Sequence, residues 1–267
     1  MKIRVIVALL CIPAFLVVLF LLPPLGLCIF LSVICGIAAF ELLRATKSAS
    51  SMLFLVVSML FAAGFPFFVF YDLFPAQMYA LIFAYIFIAF LTWTTRRERI
   101  RFKTLAFGVF AAVGIPFLFS ALLHIQAMPN SIYIIILPFA AAWVTDTFAY
   151  FCGMLFGKHK LAPVLSPKKT VEGAVGGTFF CVVCIFFYGL ILNNYLPVNY
   201  PVLAAYGLVC SVVAQFGDIF MSAVKRQYNV KDFSNIMPGH GGVLDRFDSV
   251  LFTAPVMLVL LSVYNII

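Results

Sequence analysis

The sequence predicts an all-α fold: a polytopic transmembrane helix bundle of about nine spans. Three observations carry that expectation. Of 267 residues, 65% are hydrophobic and only 10% are charged, whereas a soluble domain is roughly 45–50% apolar and about 25% charged. So little polar surface cannot cover such a core in water, and a bilayer must take the place of the solvent. The apolar runs last about 20 residues, enough to cross roughly 30 Å of hydrocarbon. They do not alternate with period two as barrel strands do. Helices and closed barrels are the structures that pair every backbone group inside a membrane, so helices remain. The third observation is the placement of the cations, which all fall in alternate connections.

The first apolar run, 5–22, follows Met1-Lys2-Ile3-Arg4 and looks like a signal peptide. It ends at Pro23-Pro24 with a second run directly behind it, so it reads as an uncleaved span. The later runs are 25–42, 52–71, 76–94, 104–123, 131–152, 174–193, 201–223 and 249–266. Lys2 and Arg4 precede the first run. Arg44 and Lys47 separate the second from the third, and Arg96, Arg97, Arg99, Arg101 and Lys103 the fourth from the fifth. Lys158, Lys160, Lys168 and Lys169 follow the sixth, and Lys225, Arg226, Lys231 and Arg246 the eighth. The opposite connections, such as Asn193-Asn194-Tyr195-Leu196-Pro197, carry none. Cytoplasmic loops are the ones enriched in Lys and Arg, which puts the N-terminus in the cytoplasm and the C-terminus outside.

The net charge of +8 is then a consequence of topology, with some attraction to anionic headgroups. Nothing resembles a nucleic-acid module. No internal repeat or low-complexity tract divides the chain, so 1–267 reads as one membrane domain. Its spans within 1–125 serve as scaffold and lipid-facing surface. Residues 131–250 are expected to hold the region that carries the chemistry, with cytoplasmic loops at 153–173 and 224–248. The seven cysteines lie in or beside apolar runs and act as small hydrophobes. Cys181-Val-Val-Cys184 lacks the second pair a zinc site needs, and no disulfide framework is indicated.

The chemistry lies in the second half. Asp146 and Asp218 interrupt apolar runs, where a carboxylate at the bilayer centre costs about 2.5–3.5 kcal/mol on the insertion scale. Such residues usually face a polar cavity. At 1.5 Å per residue, Asp146 lies about 22 Å and Asp218 about 25 Å along their spans from the outer surface, in the inner part of the membrane. Asp245 and Asp248, three apart, share a helix face at the start of the last run. Four carboxylates at one level call for a shared cation, and hard oxygen ligands near a phosphate point to magnesium. A dense acid cluster permits a second ion.

Phosphate-binding parts lie at the same level. Ser166-Pro167-Lys168-Lys169-Thr170-Val171-Glu172-Gly173 reads as a helix start, with Ser166 as cap and Pro167 in the first turn. A helix N-terminus with two lysines attracts phosphate. Gly173 and Gly177, four apart, point to close helix packing. Between Ser222 and Asp248 stand four cations, a Pro238-Gly239-His240-Gly241-Gly242 turn and three acids. Glycines there let backbone N–H groups approach a phosphate, and His240 reads as a contact to a phosphate or a base.

At these residues the sequence resembles the CDP-diacylglycerol synthases, or phosphatidate cytidylyltransferases. Their pattern is carried here by Ser222, Lys225, Arg226, Lys231, Asp232, Pro238, His240, Gly241, Gly242, Asp245, Arg246 and Asp248 without departure. Asp146-Thr147-Phe148-Ala149-Tyr150, the Ser166–Gly173 loop and the Gly217-Asp218 pair are similar to the family pattern as well. The motifs cover about residues 140–250, and the N-terminal spans match in hydropathy alone.

The resemblance implies that CTP and phosphatidate react to CDP-diacylglycerol and pyrophosphate with Mg²⁺, on the cytoplasmic side of the cell's inner membrane. It also suggests a homodimer. The roles it implies place Asp218, Asp245, Asp248 and Asp146 on metal. Lys225, Arg226 and Arg246 neutralise phosphate oxygens beside Asp245 and Asp248. Ser166, Lys168, Lys169, Thr170, Ser222, Lys231, Asp232, His240, Gly241 and Gly242 bind substrate. Two rival classes use the same features: an ion- or proton-coupled transporter, which would want charge at the midplane, and a CTP-dependent lipid kinase.

Overall fold

The computed structural model describes residues 13–49, 51–73, 75–95, 102–264 and 266. In chain order the elements are α1 (residues 13–20), α2 (Pro24–Ala45), α3 (Met52–Phe70), α4 (Pro75–Thr95) and α5 (Phe102–Val109). A π-helical turn (Phe110–Gly114) leads to α6 (Ile115–Gln126), α7 (Ser131–Ile134) and α8 (Leu137–Phe156). Two short strands, β1 (Lys160–Ala162) and β2 (Ser166–Thr170), precede α9 (Val171–Leu192), α10 (Tyr200–Gln227) and α11 (Leu244–Val263).

Among the described residues, seven helical stretches are long and apolar enough to cross a membrane: Pro24–Ala45, Met52–Phe70, Phe102–Gln126, Ser131–Phe156, Val171–Leu192, Tyr200–Gln227 and Leu244–Val263. Ala76–Thr92 of α4 is a shorter apolar helix. Lys2, Arg4, Arg96, Arg97, Arg99, Arg101 and the beginning of the first apolar run lie outside the described residues.

The chain divides into two compact units, Met1–Leu123 with Gln227–Phe247, and His124–Arg226 with Asp248–Ile267. In the first unit, Leu27, Leu31, Leu42, Phe65, Ile115 and Phe119 are fully or almost fully buried. The wide turn at Phe110–Gly114 has a local cause. Pro116 has no N–H and its ring crowds the carbonyl four residues back, so the helix loosens just ahead of it. Ser58, Tyr85 and Gly108 join α3, α4 and α5 through a polar knot. The two hydroxyls lie 2.8 Å apart, and the Tyr85 hydroxyl donates to the Gly108 carbonyl at 3.1 Å.

In the second unit α8 packs closely on α9. A Cβ on Gly173 would stand 2.6 Å from the Ala149 carbonyl oxygen, and one on Gly177 2.7 Å from that of Thr145. The spacing of these glycines therefore serves helix contact, as expected. Thr253 Oγ1 donates to the Pro138 carbonyl at 3.0 Å, tying α11 to α8. Val175, Phe179, Phe187 and Ile191 of α9 stay exposed, the pattern of a helix whose outer face meets lipid. Cys28, Cys35, Cys152, Cys181, Cys184 and Cys210 are free thiols, mostly buried.

The expected helix start at Ser166-Pro167 is corrected. Ser166–Thr170 is a strand that pairs antiparallel with Lys160–Ala162. The helix begins at Val171, with Thr170 as its cap, its extended backbone turning in and its Oγ1 accepting from Gly173 N at 3.1 Å. Hairpin pairing gives the 166–170 backbone its partners, and Thr170 supplies the cap in place of Ser166. Glu172, in the first turn of α9, accepts from the backbone N–H of Lys158 and His159 and lies 2.6 Å from His159 Nδ1. That fastens the root of the hairpin to the helix.

Candidate active site

The second unit gathers acids and cations on four elements: Asp146 on α8, Lys169 on β2, Asp218, Ser222 and Lys225 on α10, and Asp248 and Ser249 on α11. Lys169 Nζ lies 2.6 Å from Asp218 Oδ2. Ser222, one turn beyond Asp218, donates to its Oδ1 at 3.3 Å. Lys225 and Asp248 are both buried, their charged atoms 3.8 Å apart. Asp248 Oδ1 also accepts from Ser249 N at 2.8 Å. The Ser249 hydroxyl donates to Asp146 Oδ2 at 3.0 Å. Asp218, Lys225 and Asp146 all act electrostatically on Asp248.

The cluster owes its form to the local sequence. Asp218, Ser222 and Lys225 occupy one stripe of α10 at helical spacing. Gly217 lets that helix approach α11, because a Cβ there would stand 2.6 Å from the Phe252 ring and 3.2 Å from the Asp248 carbonyl oxygen. Charge alternates here: Asp218 and Asp248 each face a lysine ammonium, and Asp146 takes the Ser249 hydroxyl. Arg226, on the exposed side, donates from Nε to the Leu165 carbonyl at 3.3 Å, holding the hairpin. Lys168 is exposed and Ser166 half-buried.

The first unit holds the other half of the predicted motif, the loop from Lys231 to Val243. Met237, Pro238, Gly239 and His240 make a tight turn in which His240 N donates to the Met237 carbonyl at 2.9 Å. Proline in the second place and Gly239 at φ 78° in the third are the marks of a type II turn. Gly241 also has positive φ, 86°, and pairs back through Met237 N to its own carbonyl. Asp245 Oδ2 accepts from Phe233 N at 2.8 Å and Gly242 N at 2.9 Å, closing the loop on itself. His240 is half-buried, and its Nδ1, shut off from solvent, has no hydrogen-bond partner among the described residues. Asp232 is half-buried beside Gly241; Lys231 and Arg246 are exposed.

Two contributors escaped the sequence reading. Ser249 joins Asp146 and Asp248, although nothing distinguishes it from any serine in an apolar helix. Glu41, on α2, is fully buried and accepts from Val243 N, Leu244 N and the Ser234 hydroxyl at 2.9, 2.8 and 2.5 Å. Its one sequence signal is an acid near the end of an apolar run.

Among the described residues no three Asp, Glu, His or Cys side chains form a metal cage. Asp146, Asp218 and Asp248 supply hard oxygen donors of the kind magnesium takes, and two lysines share their charge in this structure.

Among the described residues, seven helices of membrane length, with acids and lysines paired across them and the hairpin, define a multi-pass membrane protein. The sequence model of the cytidylyltransferase family matches residues 2–264, and the chain belongs to that family. It is 38% identical over 168 residues to a phosphatidate cytidylyltransferase of Thermotoga maritima, covering 61% of each chain. A Bacillus subtilis protein of the same name is 36% identical over 236 residues, 86% of each chain. One from Staphylococcus aureus is 40% identical over 169 residues, 62% of each. The match thus spans about three fifths of the Thermotoga and Staphylococcus relatives and most of the Bacillus one.

Proposed function

We propose that this protein transfers the cytidylyl group of CTP to phosphatidate. A phosphatidate oxygen attacks the α-phosphorus of CTP, the bond to the β-phosphate oxygen breaks, and pyrophosphate leaves with that bond's electrons. The lipid product is CDP-diacylglycerol. The observation that carries this reading is the motif from Ser222 to Asp248, unbroken in a chain whose relatives are named for the reaction.

The chemistry needs little more than positioning and charge neutralisation, since a phosphate monoester is itself the nucleophile. Lys169 and Lys225, each already facing a carboxylate, are placed to exchange that contact for a phosphate oxygen. Arg226, Arg246, Lys168 and Lys231 add positive charge for the nucleotide and the leaving pyrophosphate. The shielded Nδ1 of His240 and the amides of its turn offer contacts to a phosphate or a base. Asp146, Asp218 and Asp248 would not cage magnesium by themselves but would offer it carboxylate oxygens beside the substrate phosphates, and the ion would supply neutralisation of the phosphate oxygens when bound. Asp245, assigned to metal on its sequence position, keeps its Oδ2 for two loop amides.

The topology in this reading is nine spans with the N-terminus and the site facing the cytoplasm in the inner membrane, supported by the one-sided cations. A homodimer belongs to the same reading, suggested by family resemblance. The test is transfer of label from α-labelled CTP into lipid by purified protein given phosphatidate, with and without magnesium. Magnesium-dependent labelling of the lipid is expected. Label entering lipid only from the γ-phosphate would select a kinase, and no lipid product from folded protein would overturn the proposal.

A further inference from the structure

The first residue of α11 is Leu244, and the residue before it is Val243. Valine has no side-chain oxygen, so the helix cannot cap its own first N–H groups. The cap comes from 202 residues away: Glu41 Oε1 accepts from Val243 N and its Oε2 from Leu244 N. Oε1 also takes the hydroxyl of Ser234, whose oxygen in turn accepts from Ile236 N at 3.1 Å. Glu41 therefore binds both ends of the segment 234–243, with the Pro238-Gly239-His240-Gly241 turn between them.

Gly242 fits the same account. A Cβ at Gly242 would meet Glu41 first, 2.7 Å from Oε2, 2.8 Å from Oε1 and 2.9 Å from Cδ. Its φ is not in the left-handed region, since the positive values among the described glycines are those of Gly239 and Gly241. Backbone conformation thus does not require glycine at 242; the carboxylate lying on its Cα does.

We infer that Glu41 is a positioning residue for the cytidylyl transfer, clamping the His240 loop and the start of α11 in reacting geometry, and that Gly242 is glycine to admit it. This rests on the function proposed above. Glu41 touches no reacting atom; it sets where His240, Asp245 and Arg246 stand.

The test is a double-variant cycle of Glu41→Ala, Gly242→Ala and the two combined, on the full-length protein in detergent. It reads kcat, KM for CTP and hydrogen exchange along the chain. Glu41→Ala is expected to lower kcat roughly 10–100-fold, the size of a lost charge-assisted hold on reacting groups, with KM changed less. Exchange should rise over residues 233–247 and not in α3. Gly242→Ala should lower kcat in the wild-type background and cost nothing further beside Glu41→Ala. The inference is overturned if Gly242→Ala costs the same factor in both backgrounds, which would make Gly242 a ligand contact. Unchanged exchange over 233–247 in Glu41→Ala, or exchange raised throughout the chain, would overturn it as well. If the wild-type protein transfers no cytidylyl group, the function falls, and the exchange measurement still decides whether Glu41 clamps the loop.

Discussion

In the second unit Asp218 and Asp248 face lysine ammonium groups, while in the first unit Glu41 and Asp245 are held by backbone N–H groups. The difference separates two uses of a buried acid. A carboxylate paired with a mobile cation can release it when a phosphate or a metal arrives, because one ion pair is traded for another. A carboxylate bonded to two amides of a folded loop cannot leave without unmaking the loop. Acids of the second kind hold shape, and acids of the first kind are the ones the proposed function puts to chemical use.

Removing the charge of Asp248 should break that contrast most visibly. Asp248→Asn keeps an oxygen for Ser249 N, so the fold should survive, while transfer activity falls by about 10²–10³-fold with the loss of charge stabilisation. Lipid labelling alongside a thermal melt in detergent reads both. Next in size is Lys225→Met, which leaves Asp248 buried without its ammonium and should cost about 3 kcal/mol of stability. Adding Asp248→Asn to it should return the stability and not the activity. A double variant as unstable as Lys225→Met alone would mean that the pair is not what the melt reads.

Asp245 should behave in the other way. Asp245→Ala strands the N–H groups of Phe233 and Gly242 and should cost about 1–3 kcal/mol, seen as protease cleavage within 231–243. Asp245→Asn keeps an acceptor and should cost less. Cleavage unchanged in Asp245→Ala would put Asp245 with the chemical acids. The smallest effect is Thr170→Ala, which removes the cap of α9 and should lower stability by about 1 kcal/mol in the same melt.

Much of this was legible before any coordinates. Apolar runs 20 residues long leave few choices, and the helices follow them closely. The ends that moved did so for tertiary reasons. The run expected from 174 begins at Val171 because Thr170 caps it, and the run expected from 249 begins at Leu244 because Glu41 caps it. Asp218 was readable as an acid inside an apolar run, and Ser222 and Lys225 as parts of the family pattern; helical spacing then brings the three together. Glu41 was not, since its partners lie 202 residues away and are backbone amides, which leave no mark in a sequence. Ser166-Pro167 misled because a serine followed by a proline serves a strand end as well as a helix cap, and only pairing with Lys160–Ala162 decides between them.

The length of α10 has a consequence for where the proposed reaction would take place. Its 28 residues reach about 42 Å at 1.5 Å each, while the hydrocarbon is about 30 Å thick. A helix that begins at one boundary of the oil therefore leaves it near Asp218 and runs on for more than two turns. Ser222, Lys225 and Arg226 would then ride on that overhang, at the depth where phospholipids keep their own phosphates. In the proposed reaction a lipid substrate held there would leave its acyl chains among its neighbours and present its headgroup without being lifted from the leaflet. On that proposal the excess length of one helix would work as a depth gauge, matching the protein's basic groups to a layer that the membrane itself defines.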